Sequence, residues 1–387
     1  EVKTLLARVS KGPLKPQQRL VILKYYLIPR VYHRLVLGPV SAKLLSKIDT
    51  LVRAAVRRWL VLPHDVPLGF FHSEVKHGGL GIPCLRTVIP GLRIRRLERL
   101  CDSDSPMCRQ AAAGAYVGQC LDQARRLSEY RGKTIRTKKE YHAFWRDALH
   151  SSADGAALKG CINAPGSMSW LGEGTTFLRG REFINLVKIA INALPTLQRL
   201  QRGRQGNTTC RAKCLSIESL GHILQKCHRT HHERIRRHNV IAKYLAKRLR
   251  EKEYEVLEEP HYLTDLGLRK PDVVVKIDDQ AIILDVQVVG TRVALEQAYR
   301  EKSAKYREPS LLALVQGSSS KTPIVRSITI TYRGVWCKES VKALVELRLT
   351  KNDFKVMTVR CLQGGLRAFW VHQRKTSVRR TGSRLAE

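Results

Sequence analysis

The sequence predicts a multidomain chain: a helical first half, a compact Cys/His metal module, and a mixed α/β layer domain near the C-terminal end. Three observations predict it. The chain is 387 residues long, too long for one small module. Apolar residues recur at helical spacing as far as Leu194, and short β-branched runs interleaved with helices take over after Arg250. Between these stretches three cysteines and a histidine fall within 18 residues.

Charge narrows the class of partner. Lys and Arg number 70 against 33 Asp and Glu, a net charge of +37. Hydrophobic residues make up 43% of the chain, enough for real cores, so this is not a disordered polycation. Such an excess repels itself in a compact state and is most simply tolerated when a polyanion neutralises it, which points first to nucleic acid. No apolar run is long enough to span a bilayer, and neither a membrane nor a small-molecule substrate is expected. The start at Glu1-Val2-Lys3, with neither Met nor a signal-peptide core, reads as the interior or tail of a longer protein.

The elements follow in order. Residues 17–37 have a helical pattern that Pro29 kinks or splits. From Ser41 to Leu60, Leu44, Ile48, Leu51, Val52, Ala55 and Trp59 form an apolar stripe opposite Lys43, Lys47, Arg53, Arg57 and Arg58. Pro63 and Pro67 stop this helix, Gly78–Pro83 reads as a tight loop, and Leu92–Leu100 as a basic helix. Residues 101–180 read as linker helices joined by loops, and Arg181–Leu194 as a further helix. Beyond the cysteines, His238–Arg250 is helical. Tyr254–Leu257, Val273–Ile277 and Ala281–Val289 are strands, Val293–Tyr306 a helix, Ile324–Tyr332 a strand and Ser340–Leu349 a helix. The order α-β-β-β-α-β favours a mixed layer domain.

Two constellations carry chemistry. Cys210, Cys214, His222 and Cys227 form C-x3-C-x7-H-x4-C, the donors of a closed tetrahedral structural Zn²⁺ site, with His228, His231 and His232 close behind as rivals for the fourth position. Asp272 opens one strand and Asp285 lies in the next, 13 residues on. A short turn at Asp278-Asp279 would bring both carboxylates to one edge of the sheet, and hard oxygen ligands there suit Mg²⁺. Position 287 is Gln and cannot supply the positive charge such a site needs, whereas Lys302, Lys305 and Tyr306 share one face of the following helix.

Arg269–Asp272, Leu284–Val289, Glu301-Lys302 and Lys305-Tyr306 resemble the restriction-like endonuclease of non-LTR retrotransposons, in the group that inserts into ribosomal DNA and whose Pol polyproteins belong to type-1 elements. The Cys/His cluster followed by Arg234–His238 is similar to the CCHC knuckle before that endonuclease. Residues 17–100 are similar to the thumb that follows a reverse-transcriptase palm. The resemblance implies a thumb-like region over 1–100, a helical linker over 101–205, the knuckle over 206–237, a restriction-like endonuclease over 238–365 and a basic tail over 366–387. It implies that Asp272 and Asp285 hold a catalytic Mg²⁺ and that Lys302 or Lys305, with Tyr306, completes the site. The implied activity is nicking of target DNA to prime reverse transcription of the element RNA, with the RNA-directed DNA polymerase palm lying elsewhere in a longer parent. The implied partners are target DNA, element RNA and their hybrid duplex, in the nucleus. The rival expectation is a non-catalytic, zinc-containing nucleic-acid-binding protein with a degenerate nuclease fold. In either case Arg53, Arg57 and Arg58 on one helix, and Arg234, Arg236 and Arg237 after the knuckle, are expected to track phosphates. With aromatics at 6%, extensive base stacking is not the main mode of contact.

Overall fold

The computed structural model describes residues 1–174 and 177–376. It falls into two compact units, Glu1–Lys159 with Met168–Val187, and Gly160–Ser167 with the chain from Lys188 onward.

The first unit is helical: α1 (Val2–Lys11), α2 (Pro16–Ile22), α3 (Ile28–Leu37), α4 (Ala42–Leu60), α5 (Leu68–His72), α6 (Leu85–Cys101), α7 (Pro106–Ala112) and α8 (Ala115–Leu127). A small hairpin of β1 (Glu129–Tyr130) and β2 (Lys133–Thr134) follows, then α9 (Lys138–His150). The expected split near Pro29 is a π-turn over Leu23–Leu27, with Pro29 in the first turn of α3, where a missing N–H costs nothing. Ser41 Oγ accepts from the Leu44 amide at 3.2 Å and starts α4. The buried stripe of α4 is Leu45, Ile48, Val52, Ala55, Val56 and Trp59, whereas Leu44, assigned to the stripe from sequence, stays exposed.

Asp49 sits in that stripe and is almost fully buried, accepting from the Leu85 and Arg86 amides at 2.8 Å each. A carboxylate on one helix thus satisfies the orphan donors of another. This cap explains why α6 begins at Leu85 and not at the expected Leu92. Arg93 of α6 belongs by sequence to a basic face, yet it is buried and donates to the carbonyls of Leu35, Val36 and Gly38 at the C-terminus of α3. In the loop before α6, Gly78 and Gly81 have φ of 86° and 66°, and a Cβ on Gly79 would lie 2.2 Å from the Ser73 carbonyl oxygen, so only glycines fit. Residues 101–159, expected as linker, pack into this unit: α8 lies on α6 and α9 on α5, with Cys84, Ile135, Tyr141 and Trp145 forming a shared core.

α10 (Gly180–Ala190) carries the chain into the second unit and ends before the expected Leu194, where Asn192 turns left-handed at φ 57°. Then come α11 (Leu197–Leu200), α12 (Leu220–Gln225) and α13 (His231–Arg250). The strands β3 (Glu255–Glu258), β6 (Val273–Ile277), β7 (Gln280–Val289) and β8 (Ile324–Thr331) form a sheet in the order β3-β6-β7-β8. The first two pairings are antiparallel and β7–β8 is parallel, the mixed sheet expected. A side hairpin of β4 (Tyr262–Thr264) and β5 (Gly267–Arg269) is an addition to the sequence reading, as is α15 (Pro309–Gln316) after α14 (Leu295–Ala304). α16 (Lys338–Glu346) and α17 (Lys351–Thr376) complete the unit. Strand alternation divides the core: Val273, Val275, Leu284 and Val286 pack with Ile241, Leu245 and Leu249 of α13, while Val274 and Ile283 pack with Tyr306, Leu311 and Val315. The tail expected from residue 366 is corrected as far as Thr376: it continues α17, with Leu366 and Phe369 buried. The rest of that tail lies outside the described residues. No helix among the described residues is long and apolar enough to cross a membrane.

Asp49→Ala strands buried amide donors, so it should destabilise the first unit by about 3 kcal/mol, with Asp49→Asn milder. Urea unfolding of both variants checks the order.

Candidate functional site

The Cys/His cluster is built by a turn and a short helix. Thr209 bridges Ile217, and Lys213 and Leu215 adopt φ of 60° and 56°, which folds Cys210 and Cys214 toward each other. Ser219 Oγ caps α12 by accepting from the His222 amide at 2.9 Å, and Cys227 follows that helix. One donor atom from each of Cys210, Cys214, His222 and Cys227 lies within 4.8 Å of the others, so the four could hold a metal ion. The donor chemistry fits zinc. His222 Nε2 is buried with no hydrogen-bond partner among the described residues, the state of a ligand atom prepared for a cation. Burial pushes the Cys227 thiol up to about 12, so a cation is what would hold it as a thiolate. Of the rival histidines, His228 Nδ1 lies 3.2 Å from Cys214 Sγ, while His231 and His232 are on α13 and stand outside the group. Sequence reasoning missed His372. It is fully buried on α17, with Nε2 3.4 Å from Cys210 Sγ, and its separation of 162 residues from Cys210 left no local signal.

The carboxylates meet as the hairpin requires. Ile277 pairs with Gln280 across a two-residue turn in which Asp278 has φ 50°, and Val273 pairs with Leu284, so Asp272 sits one step before the strand and opposite Asp285. Asp272 Oδ2 accepts from the Val286 amide at 2.6 Å. Asp285 is 3% exposed, with Oδ2 2.6 Å from Lys302 Nζ. The Tyr306 hydroxyl donates to the Lys270 carbonyl at 3.2 Å and lies close enough to Asp285 to hydrogen-bond it. Burial foremost, and then the charge of Asp272, push the Asp285 carboxyl above the usual range, against the pull of Lys302. Lys305 is exposed and reaches the Tyr306 ring, 5.6 Å from its centroid, with no bond to either carboxylate. The geometry therefore separates the two lysines that the sequence left equivalent. Gln287 serves the scaffold instead. Its amide donates to the Ala298 carbonyl, Ser327 Oγ and Thr329 Oγ1, which fastens α14 to the sheet.

His238 lies in a basic run and carries no site role in the sequence reading. Its Nε2 lies 2.8 Å from Asp272 Oδ1. The signal was available: on α13 it precedes Ile241 and Leu245 at helical spacing, placing a histidine in line with the buried stripe.

The six candidate phosphate-binding arginines differ. Arg58 and Arg236 are exposed. Arg53 donates to Thr50 Oγ1, Arg57 lies 4.8 Å from the Phe71 ring centroid, and Arg234 donates to the Cys227 carbonyl, leaving each half-buried. Arg237 is a correction: it is 3% exposed, donates to Gln225 Oε1 and packs where a Cβ on Gly364 would meet its Cγ at 2.5 Å. Position 237 falls on the face of α13 that meets α17, so its charge is withdrawn from any phosphate.

No protein-family model matches the chain. It is similar to the retrovirus-related Pol polyprotein of the type-1 retrotransposable element R2 of Nasonia vitripennis, 38% identical over 365 residues that cover 93% of this chain and 34% of the relative. The corresponding protein of the type-2 element R2DM of Drosophila melanogaster is 35% identical over 94% of this chain and 35% of its own length. One from a type-1 element R2 of Popillia japonica is 32% identical over 99% of this chain and 79% of its own length. The chain thus spans about a third of the first two relatives.

Burial alone would lower the His238 pKa, but the bond to Asp272 and the charges of Asp272 and Asp285 prevail and hold it above the ordinary 6.5. A histidine whose folded pKa is raised contributes stability in full below its unfolded value and loses it as pH rises through the folded value. Without added divalent cation, the second unit should lose stability as pH rises above 6.5, and Asp272→Asn should remove most of that slope in urea unfolding. An identical profile in the variant would contradict the pairing.

Proposed function

The chain belongs to the family of Pol polyproteins of R2 retrotransposable elements, and on that premise we propose that its second unit is a Mg²⁺-dependent endonuclease that nicks target DNA. The observation that carries the proposal is the convergence of Asp272, Lys302 and Tyr306 on the buried carboxylate of Asp285. A carboxylate placed inside a sheet is costly unless it serves an ion or a charged partner, and here a second carboxylate lies within electrostatic reach. Asp272 and Asp285 would hold Mg²⁺, which when bound would neutralise charge on a phosphate and lower the pKa of a water. Lys302 places a positive charge where negative charge develops in phosphoryl transfer. Gln287, unable to carry that charge itself, holds α14 so that Lys302 can. Tyr306, by donating to Lys270, ties its own segment to the strand entry that carries Asp272. His238 fixes the other Asp272 oxygen.

The Cys/His group is read as a structural zinc site, since four protein donors leave no open position for chemistry. The exposed arginines, Arg58 and Arg236 foremost, would track the phosphate backbone. In a longer parent protein, the 3′-OH released by nicking would prime reverse transcription of element RNA; target DNA, element RNA and an RNA–DNA duplex would then be the partners, and the nucleus the place of action.

In a supercoiled-plasmid assay with Mg²⁺, Asp285→Asn and Lys302→Ala should lower nicking by about a hundredfold or more while DNA binding persists. Lys305→Ala should stay near the wild-type rate. Nicking no faster than background by both wild type and Asp285→Asn would favour a non-catalytic nucleic-acid-binding protein. Metal analysis should find stoichiometric zinc, lost in Cys227→Ser.

A further inference from the structure

A second feature of the second unit is independent of the carboxylates. α13 and α17 cross closely at Gly364, where the absent side chain admits Arg237. Beside the crossing, the two helices wall a groove. Arg360, Arg367 and Arg374 recur every seven residues, so they lie along one face of α17 at steps of roughly 10 Å. Arg236 of α13 lines the groove from the other side. Two adjoining cavities, the larger of about 300 Å³, run from Arg360 past Arg367 to Trp370 and Arg374. Glu233 is the one carboxylate among their described lining residues, where cations prevail.

Trp370 adds an aromatic side chain to the groove's lining. It is 36% exposed, whereas Trp59, Trp145, Trp170 and Trp336 are each 4% exposed or less. An indole beside a row of guanidinium groups is the combination that receives a nucleic-acid strand: cations follow the backbone and an aromatic face accepts a base. Bases inside a duplex are already stacked on their neighbours and cannot use that face.

We propose that the groove between α13 and α17 binds a single strand of nucleic acid, with phosphates on Arg236, Arg367 and Arg374 and one unpaired base stacked on Trp370. The proposal rests on the nucleic-acid part of the functional reading and not on nicking. It gives the site a second kind of ligand beside duplex target DNA, such as a strand released when a duplex opens.

The protein carries its own probe, because Trp370 is the one exposed tryptophan among the described residues. Titrating the full chain with a short oligothymidylate should quench its tryptophan fluorescence, and a blunt duplex should not. Trp370→Phe should abolish the quench yet keep affinity, measured by anisotropy of labelled oligonucleotide, while Trp370→Ala should weaken binding about fivefold or more. Arg367→Gln with Arg374→Gln should reduce the slope of log affinity against log salt by about 1.4, the value for two phosphates of a single strand. Circular dichroism confirms that each variant folds. Absence of quenching, equal quenching by duplex, or an unchanged salt slope in the double variant overturns the proposal. Asp285→Asn should quench like wild type, so a failure of the nuclease reading and a failure of the groove are separately visible.

Discussion

Keeping a carboxylate inside the sheet is the constraint on which the second unit turns. Asp285 is bounded by β6 and β8 on either side of β7, where an unpartnered charge would be driven to neutrality or out of the fold. Its relief comes from outside the sheet, from Lys302 and Tyr306, so α14 and the segment after it must lie over this strand. Gln287, two residues along on the same face, makes that placement rigid through Ala298. Asp272 adds a second negative charge, which His238 answers from α13. Strand, helix and hairpin are thus aligned by one electrostatic demand, and apolar packing alone would not specify the register of α14.

α13 has two ends with two duties. At its start, Thr230 Oγ1 donates to the Ile223 and Cys227 carbonyls and Arg234 to Cys227, which binds the helix to the Cys/His module. Two turns later it presents His238 to Asp272, and near its end Tyr244 and Arg248 donate to the buried Asp353 at the start of α17. α17 returns along α13 to place His372 beside Cys210. The helix pair is therefore pinned at both ends by polar contacts and at the middle by Gly364. A groove along such a pair keeps its width, which a groove between loops would not.

Periodicity revealed what is local. The β6–β7 hairpin, the helix after it and the helix beginning near Ser41 could be read because alternation, turn chemistry and apolar spacing act over a few residues. The same logic brought Asp272 and Asp285 together, since a two-residue turn fixes the register of everything paired beyond it. It stopped short wherever a distant residue decided the outcome. Asp49 starts α6, His372 approaches Cys210, and Lys302 is distinguished from Lys305 only once α14 is docked. Leu44 and Leu45 are equally apolar, and tertiary packing chose the latter. The stretch after Cys101 reads as linker because its helices are short and polar, although α9 brings Trp145 into a core that contains Cys84.

Net charge is the least discriminating of the sequence signals, and the fold shows why. A guanidinium has five donors in a fixed fork, which suits phosphate and also suits the carbonyls left open at the end of a helix. Arg93 spends its charge on the last turn of α3, and Arg86 on the Leu127 and Glu129 carbonyls where α8 ends. Arg237 is enclosed between α12 and α17. Arg93 and Arg237 each belong to a run that looks like a nucleic-acid surface in one dimension. What separates the two uses is whether oxygens within the chain already occupy the fork, and this follows from helix phase: Arg236 and Arg237 are adjacent in sequence, one turned to solvent and the other to the core. The 70 Lys and Arg therefore bound any phosphate-binding surface from above, and among the arginines the proposed surface would draw on those whose helical phase leaves the fork open.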